Sequence, residues 1–475
     1  MTKRRNWRIY IIVFFITLFA LTAFMPVTSY AAAGYIRVFI DGKNLEFDVP
    51  PIIQNDRTLA PFRKIGEALG AEVKWDQDTK TVTAYKQGTT LLLKIGDDTA
   101  YVNQSPVKLD MPPIIKDNRT LVPIRFFSEA FDAAVMWDNA TRSVLISTDG
   151  KQSKYIMGYY YSESYTDFLN NLDKMSSTAV KWYTLDEYGD LTDNDNVRYI
   201  NVPNGYENVL KLSKENGLEV YMLVFESNSE RLEKVLTTPQ SRARLINQMV
   251  TVVEREGFDG INIDFEFIKA ADKENFNEFI KSLYSVLKTH GKSLNLSLPV
   301  KTEKNDWWPA YDYATLGANC DFVVLMAYDK NPGTPGPQSG VDWVEEVVDY
   351  AIARIPAEKV VLGIGNYGYD WAQGRRRGSV IPENNGATYL LFADELSKEY
   401  GLKLNLDQKS GLLFGKYTDW DGVTHEIWME SDHSVDAKAK LAIRKGLKGV
   451  ALWRLGFSTP SFWDSLLQNF QPIKY

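Results

Sequence analysis

Two carboxylic acids in one apolar run are the strongest chemical signal in this sequence. In the segment 260–266, the polar residues Asn262, Asp264 and Glu266 alternate with Ile261, Ile263 and Phe265. This alternation predicts a strand that carries the three polar side chains on one face, about 6.5–7 Å apart at each step. Two carboxylates in a partly desolvated place resist double ionisation, so one pKa rises. A raised pKa suits a general acid, and the run therefore predicts either an acid–base pair with Glu266 as proton donor or a purely internal hydrogen-bond network.

Short apolar runs that alternate with helical patterns predict the elements that position this pair. Because buried parallel strands with intervening helices form α/β folds, we expect a (β/α)8 TIM barrel with its site at the carboxyl ends of the strands. The predicted strands are 155–160, 179–185, 219–225, 260–267, 293–300, 321–328, 359–365 and 449–455. The predicted helices are 207–216, 244–256, 273–290, 343–354 and 435–445. The long interval from Asn366 to Glu430 predicts an inserted subdomain after strand seven.

An internal repeat precedes the barrel. Residues 50–63 match residues 112–125 at an offset of 62, as from Arg57 to Arg119, and a Trp-Asp pair recurs at the same offset. The sequence pattern of each repeat predicts a turn, a short helix (62–69 and 126–131) and a hairpin. The two repeats together are predicted to form one α+β two-repeat domain. The arginines Arg57, Arg63, Arg119 and Arg125 are predicted to form internal salt bridges and turns rather than to contact a ligand.

The first residues of the chain predict export. Four basic residues between Lys3 and Arg8 precede an apolar run from Tyr10 to about Phe24, and the small residues 31–33 suit a signal peptidase. An uncleaved membrane anchor is the alternative. The predicted domains are a signal peptide at 1–33, an accessory domain at 34–150 and a catalytic barrel at 151–475. A single cysteine, Cys320, excludes an intramolecular disulfide, so we expect a bacterial protein that is secreted or associated with the cell wall and free of the membrane after cleavage.

Charge and composition argue against two classes of protein. The net charge is −7 and no basic tract follows the N-terminus, so a nucleic-acid partner is not expected. Three histidines and one cysteine offer few metal ligands, so neither a metal nor another cofactor is expected.

Several motifs, taken together, resemble glycoside hydrolase family 18. They are Asp-Gly-x-x-x-Asp-x-Glu at 259–266, Met-Ala-Tyr-Asp at 326–329, Gly-Tyr-Tyr at 158–160 and Trp453 in the eighth strand. The resemblance covers about residues 154–470. The repeat resembles the copper amine oxidase N-terminal-like domain, but no histidine occurs before His290, so copper binding is not expected. This domain is expected to attach the protein to the wall or to a polysaccharide.

The family resemblance implies roles for particular residues. In a substrate-assisted retaining mechanism, the 2-acetamido oxygen of the sugar attacks the anomeric carbon and Glu266 acts as acid and then as base. Asp264 would orient the acetamido N–H, Tyr328 would hydrogen-bond its oxygen, and Trp453 would lie beneath the distorted ring. Residues Tyr159, Met326, Asp329 and Asn262 are further expected to contact substrate. Many chitinases carry Asp where this chain has Asn262, which can hydrogen-bond Asp264 but cannot share a proton with it.

Three features resemble the spore-cortex and peptidoglycan N-acetylglucosaminidase branch of that family. They are Asn262 with Phe265, the stretch 365–371 and the stretch 425–430. Residues at these stretches are candidates for the mouth of the site, with packing of the insert as the alternative: Tyr369, Asp370, Trp371, Trp428 and Glu430. The sequence thus predicts a secreted glycosidase that hydrolyses β-1,4 linkages of an N-acetylglucosamine polysaccharide, with peptidoglycan favoured. The alternatives are a chitinase, an endo-N-acetylglucosaminidase acting on glycans, and a non-catalytic, lectin-like wall protein.

Overall fold

The computed structural model describes residues 36–475, apart from 42, 139–141, 149–150, 194–199, 201, 203–204 and 384–389. The predicted signal peptide, residues 1–33, lies outside the described residues. Among the helices that the structure describes, none combines the length and apolar character that a membrane span requires.

Eight parallel strands form a closed barrel, as the sequence predicts. The strands, numbered one to eight in chain order, are Gln152–Tyr160, Ser177–Leu185, Glu219–Glu226, Gly260–Phe265, Ser293–Leu298, Phe322–Leu325, Val360–Gly365 and Gly449–Trp453. Each strand pairs with the next, and strand one pairs with both strand two and strand eight, which closes the sheet. The carboxyl ends of all eight strands therefore surround one opening.

Several of the predicted strands are shorter than expected, and strands four and six end next to the polar residues of the motifs. Strand four ends at Phe265 because Phe267 adopts a left-handed conformation (φ 58°), although the N–H of Glu266 still donates to the carbonyl of Glu226 at 2.8 Å. Strand six ends at Leu325, and Asp329 is likewise left-handed (φ 54°). At the ends of both strands, the chain therefore turns close to the polar side chains of the motifs.

The five predicted helices of the barrel are present. They are Tyr206–Glu215, Pro239–Glu256, Lys273–Thr289, Val341–Ile352 and Asp432–Arg444. The second begins five residues before the prediction, since Thr238 caps it by accepting from the N–H of Ser241 at 3.1 Å and Pro239 suits a first turn. The additional helices are Tyr165–Asn170, Ser229–Leu236, Tyr313–Ala318 and Pro460–Leu467.

The repeat domain has the internal symmetry that its sequence predicts. Its strands are Arg37–Ile40, Lys43–Asn44, Ile52–Gln54, Arg57–Pro61, Glu72–Asp76, Thr81–Lys86, Thr89–Lys94, Thr99–Val102, Ser105–Lys108, Ile114–Lys116, Arg119–Pro123, Ala134–Asp138 and Ser143–Ser147, and its helices are Phe62–Ala68 and Ile124–Glu129. Ala60 pairs with Val122, its own counterpart in the other repeat. Arg57 binds Asp110 at 2.8 Å and Arg119 binds Asp48, so both arginines link one repeat to the other. The predicted salt-bridge role is confirmed for these two residues.

The repeat domain also contributes to the packing of the barrel. Phe39, Met136 and Leu145 join the apolar cluster inside the barrel that contains Tyr155 and Tyr221, near the start of strands one and three. The end of the barrel opposite the predicted site is therefore filled by apolar side chains from both domains.

The described residues of the insert after strand seven form a six-stranded sheet with one helix. Its strands are Gly368–Ala372, Arg375–Ile381, Leu391–Phe392, Asn405–Leu406, Leu413–Thr418 and Thr424–Met429, and its helix is Ala393–Tyr400. Gly368 pairs with Met429, so the insert leaves and re-enters the barrel at adjacent positions. This sheet stands beside the opening at the carboxyl ends of the strands.

Candidate active site

Strand four places its polar residues inside the barrel. Asn262 and Asp264 are buried, at 0% and 4% exposure, whereas Ile261, Ile263 and Phe265 pack among the outer core residues beneath the helices. Glu266 follows the strand and remains partly exposed. Because strand residues alternate between faces, the acidic side chains form a short ladder from the barrel interior towards its opening.

Burial changes the acidity of both carboxyl groups. Desolvation, opposed by the charge of Lys181, raises the pKa of Asp264 to about 6. Desolvation and the neighbouring charge of Asp264 raise the pKa of Glu266 to about 8, again against the effect of Lys181. The two groups titrate as a coupled pair, and in the neutral range the pair favours a protonated Glu266 beside an ionised Asp264.

A neutral hydrogen-bond network lies beneath Asp264. The amide of Asn262 donates to Asn295 Oδ1 at 2.5 Å, and its carbonyl accepts from the hydroxyl of Ser297 at 3.1 Å. The Tyr159 hydroxyl lies 2.8 Å from the same Ser297 oxygen. The hydrogen bonds of Asn262 and Tyr159 are thus made to residues of strand five and not to Asp264. Oδ1 of Asp264 has no hydrogen-bond partner among the described residues.

The turn after strand six brings a tyrosine to the carboxyl pair. Burial, together with the neighbouring Tyr159, Asp264 and Glu266, raises the pKa of Tyr328 well above its usual value, so its hydroxyl remains a proton donor. Gly363 and Gly365 on strand seven leave room for this ring, since a Cβ at either position would lie 3.1–3.2 Å from its atoms. Met326 is partly buried at the start of the same turn.

Asp329, the last residue of that turn, is tied to the insert. Its Oδ1 accepts from the hydroxyls of Tyr367 at 2.8 Å and Tyr369 at 2.9 Å. Arg376 lies over the ring of Tyr369 at 4.7 Å. The contact of Asp329 with two tyrosines fixes the insert against the opening, and its charge also acts on Glu266.

An indole and a lysine complete the interior. Trp453 at the end of strand eight is partly exposed, and its ring lies 5.5 Å from that of Tyr159 in an edge-to-face arrangement. Lys181 of strand two is only 6% exposed, and its Nζ lies 5.0 Å from the centre of the Trp453 ring. The described residues thus bring two carboxyl groups, a phenol, an indole and an ammonium group together.

Sequence reasoning missed Lys181 and the polar residues of strand five. Asn295 and Ser297 alternate with leucines in Ser293–Leu298, which is the same period-two signal that identified strand four. Lys181 follows Ala179 on the inner face of strand two and is the only charged residue of that strand, Ser177–Leu185. A lysine at an inward position of a buried strand could have been recognised as a functional candidate.

The predicted mouth residues of the insert divide into two groups. Trp428 is partly exposed, packs 4.7 Å from the ring of Phe414 and donates to Glu426 at 2.9 Å. Trp371 and Asp370 are buried, at 1% exposure each, and Asp370 accepts from His425 at 2.7 Å. Packing of the insert therefore accounts for Trp371 and Asp370, whereas Trp428 and Tyr369 line the part of the sheet near the opening.

Glu430 is held inside the protein by three partners. Its carboxylate forms an ion pair with Lys438 and accepts from the hydroxyls of Ser339 and Ser434. Glu430 is 5% exposed and Lys438 is 1% exposed. These contacts favour the packing alternative over substrate contact for this residue, since both of its oxygens are occupied.

Replacing Glu430 by glutamine is expected to destabilise the fold strongly. The change leaves the Lys438 ammonium buried without its counter-charge, which costs about 3–5 kcal/mol in comparable pairs. Urea unfolding of the full chain, followed by circular dichroism, measures this loss. Glu346→Gln is the matched control, because it breaks an exposed pair with Lys304 (2.9 Å) and should cost less than about 1 kcal/mol. Equal stability of the two variants would contradict the structural role.

The described residues contain no cluster of three or more His, Cys, Asp or Glu side chains arranged to hold a metal ion. His425 lies between Asp370 and Asp419, at 2.7 Å and 3.2 Å; the first contact joins two strands of the insert, and the second reaches the turn that precedes the strand of His425. The candidate site is thus built from carboxyl, phenol, amide, ammonium and indole groups.

Comparison with known families identifies both domains. The model of glycosyl hydrolases family 18 matches residues 155–457, and that of the copper amine oxidase N-terminal domain matches residues 39–146. The cortical fragment-lytic enzyme of Bacillus subtilis is 32% identical over 257 residues, which are 52% of this chain and 58% of that protein. The chain thus matches less than two thirds of the length of this curated relative.

Solved structures share the fold of the barrel. A chitinase from Chromobacterium violaceum matches with a TM-score of 0.59 and 29% identity over 67% of this chain and 99% of its own. The spore cortex-lytic enzyme SleL of Bacillus megaterium matches with a TM-score of 0.59 and 26% identity, over 68% of this chain and 76% of its own.

Proposed function

This chain belongs to glycosyl hydrolases family 18 through residues 155–457, and on that premise we propose that it is an exported enzyme that cleaves β-1,4 linkages of N-acetylglucosamine polysaccharides. The single observation that supports this function most strongly is the carboxyl pair inside the barrel. Glu266 is positioned at the opening with a pKa raised to about 8, while the pKa of Asp264, one step deeper, is raised only to about 6. This difference in pKa leaves Glu266 protonated, as a general acid requires, while Asp264 is ionised at neutral pH.

The first step of the proposed reaction forms a ring from the substrate itself. The carbonyl oxygen of the 2-acetamido group attacks the anomeric carbon as the bond to the glycosidic oxygen breaks. Glu266 gives its proton to that departing oxygen, and the charge that develops on the acetamido group is stabilised by ionised Asp264. The Tyr328 hydroxyl, kept protonated by its surroundings, is available to orient the acetamido oxygen.

The second step restores the enzyme. Glu266, now a carboxylate, takes a proton from water while the remaining hydroxide adds to the anomeric carbon. The bond between that carbon and the acetamido oxygen breaks, so the acetamido group is regenerated and the anomeric configuration is retained. Trp453 offers a flat apolar surface at the end of strand eight, on which the sugar ring can lie during both steps.

Peptidoglycan, including that of the spore cortex, is the favoured substrate. The similarity of this chain to the cortical fragment-lytic enzyme and to the spore cortex-lytic enzyme SleL supports this choice. The similarity to the chitinase supports chitin as the alternative. Both polymers present the acetamido group that the reaction requires. On this proposal the protein is secreted or bound to the wall, and the repeat domain assists attachment. A groove of that domain lined by Arg63, Glu67 and Trp75 supports this role.

Digestion of purified cortex or vegetative peptidoglycan, beside chitin oligomers, tests the proposal. New reducing ends at N-acetylglucosamine, identified by mass spectrometry, are expected from peptidoglycan, and none from the same polymer after removal of its N-acetyl groups. Release from chitin alone would shift the substrate to chitin, and no release from either would contradict the proposed function. Sedimentation of the inactive Glu266→Gln chain with insoluble wall, in the same incubation, reports attachment.

A further inference from the structure

Lys181 is a buried lysine that has no role in the reaction steps described above. Its side chain is 6% exposed, and its Nζ lies 3.5 Å from the centre of the Phe225 ring and 5.0 Å from that of Trp453. The ring of Tyr161 is 5.5 Å away. No oxygen of the described residues accepts a hydrogen bond from this ammonium. Burying such a group is costly, so its presence beside two carboxyl groups calls for a function.

The backbone of strand two directs this side chain into the barrel. The pairing of strands two and three shifts register between Val180 and Tyr183, so Lys181 lies where the regular ladder is interrupted, as at a β-bulge. Bulges near active sites commonly re-aim a side chain. On the neighbouring pair, Phe225 of strand three is the direct partner of Asp264 of strand four. The Phe225 ring, which the Lys181 ammonium contacts, is therefore adjacent to the residue that bears the carboxylate, Asp264.

Among the residues that the structure describes, none donates a hydrogen bond to the Asp264 carboxylate. Its Oδ1 has no hydrogen-bond partner among the described residues, and the neutral amide of Asn262 is already bound to Asn295 and Ser297. We propose that Lys181 is a positioning residue for the hydrolysis proposed above, and that its ammonium supplies the positive charge that keeps Asp264 ionised beside a protonated Glu266. This inference rests on the proposed function and assigns a further residue to the same site.

The charged groups around the three residues agree with this role. Burial lowers the pKa of Lys181, the charges of Asp264 and Glu266 oppose this shift by favouring the ammonium form, and the charge of Arg454 adds to it. Burial raises the pKa of Asp264 and of Glu266, and the charge of Lys181 reduces this rise for both groups. Among the described residues, the other groups that act on this set are Asp329 and Tyr311 near Glu266, Tyr159 and Tyr328 near Asp264, and Tyr161 near Lys181.

Removal of the ammonium should move the whole pH profile of kcat to higher pH. Without Lys181, the pKa values of Asp264 and Glu266 both rise, so the acidic and alkaline limbs shift in the same direction, by about one pH unit each. In Lys181→Met the rate at pH 6 should fall about fivefold relative to the native chain, while the rate at the alkaline limb is maintained or increased. Lys181→Arg keeps the charge and should keep the native profile.

The controls separate this role from a structural one. Lys181→Gln is a second neutral variant that decides the question if the methionine variant fails to fold. Lys154→Met replaces another buried lysine, bound to the Leu447 carbonyl at 2.7 Å near the start of strand one, and should leave the pH profile unchanged. Neutral variants of Lys181 with an unmoved profile would overturn the inference even if their melting temperatures change. An inactive native chain would instead contradict the proposed function itself.

Discussion

Replacing Glu266 by glutamine should lower kcat by about 10²–10⁴-fold, because the amide cannot give a proton to the departing glycosidic oxygen. The side chain keeps its size at the partly exposed end of strand four, so binding of an oligosaccharide should remain. Hydrolysis rates measured on soluble peptidoglycan fragments, together with calorimetric binding to the same fragments, separate the two effects. Loss of turnover with retained affinity is the expected result.

The matched control for this variant is Glu230→Gln. Glu230 is an exposed residue in the first turn of the helix Ser229–Leu236, so the same chemical change should leave hydrolysis close to native. Hydrolysis by Glu266→Gln within tenfold of the native rate would refute the assignment of Glu266 as the acid. It would also leave the raised pKa of this carboxyl without a catalytic explanation.

Replacing Asp264 by asparagine should lower kcat by about 10²–10³-fold, since a neutral amide cannot stabilise the positive charge of the intermediate. The pH dependence should change as well. In the native chain, activity requires Asp264 ionised and Glu266 protonated, so it should fall as pH drops through about 6 and as pH rises through about 8. The residual activity of Asp264→Asn should lose the acidic limb, because the group that titrates there is absent.

Asp259→Asn tests for general damage to strand four. Asp259 comes directly before the amino end of strand four, and its Oδ2 accepts from the N–H of Val220 at 2.8 Å. An asparagine oxygen can accept the same hydrogen bond. Its activity and pH profile should resemble those of the native chain. An acidic limb that persists in Asp264→Asn would assign that titration to another group.

Local patterns were sufficient to predict the eight strands of the barrel and five of its helices, but not the four additional helices. Apolar runs of strand length located all eight strands, because burial on both faces of a parallel sheet requires apolar side chains throughout. The errors lie at strand ends. Strands four and six stop early where Phe267 and Asp329 adopt positive φ values, and such turns depend on tertiary contacts more than on residue type.

The environment of the carboxyl pair could not be predicted in the same way. Asn262 was expected to be able to hydrogen-bond Asp264, but its amide is bound to Asn295 and Ser297 of strand five. Glu430 was a candidate mouth residue, yet its partner Lys438 lies on a helix of the barrel and holds it inside. In each case the deciding partner belongs to a different element of the chain.

The sequence by itself determined that Asp264 and Glu266 share one face of a strand, because side chains alternate with a period of two along any extended segment. Only the closed barrel decided which groups surround them, since it brings strand two and strand eight to the same interior. The pKa of a buried carboxyl depends on desolvation and on nearby charges, and here these come from Lys181 and from packing contributed by distant segments. Acidity at this site is therefore a property of the fold, whereas the spacing of the acids is a property of the chain.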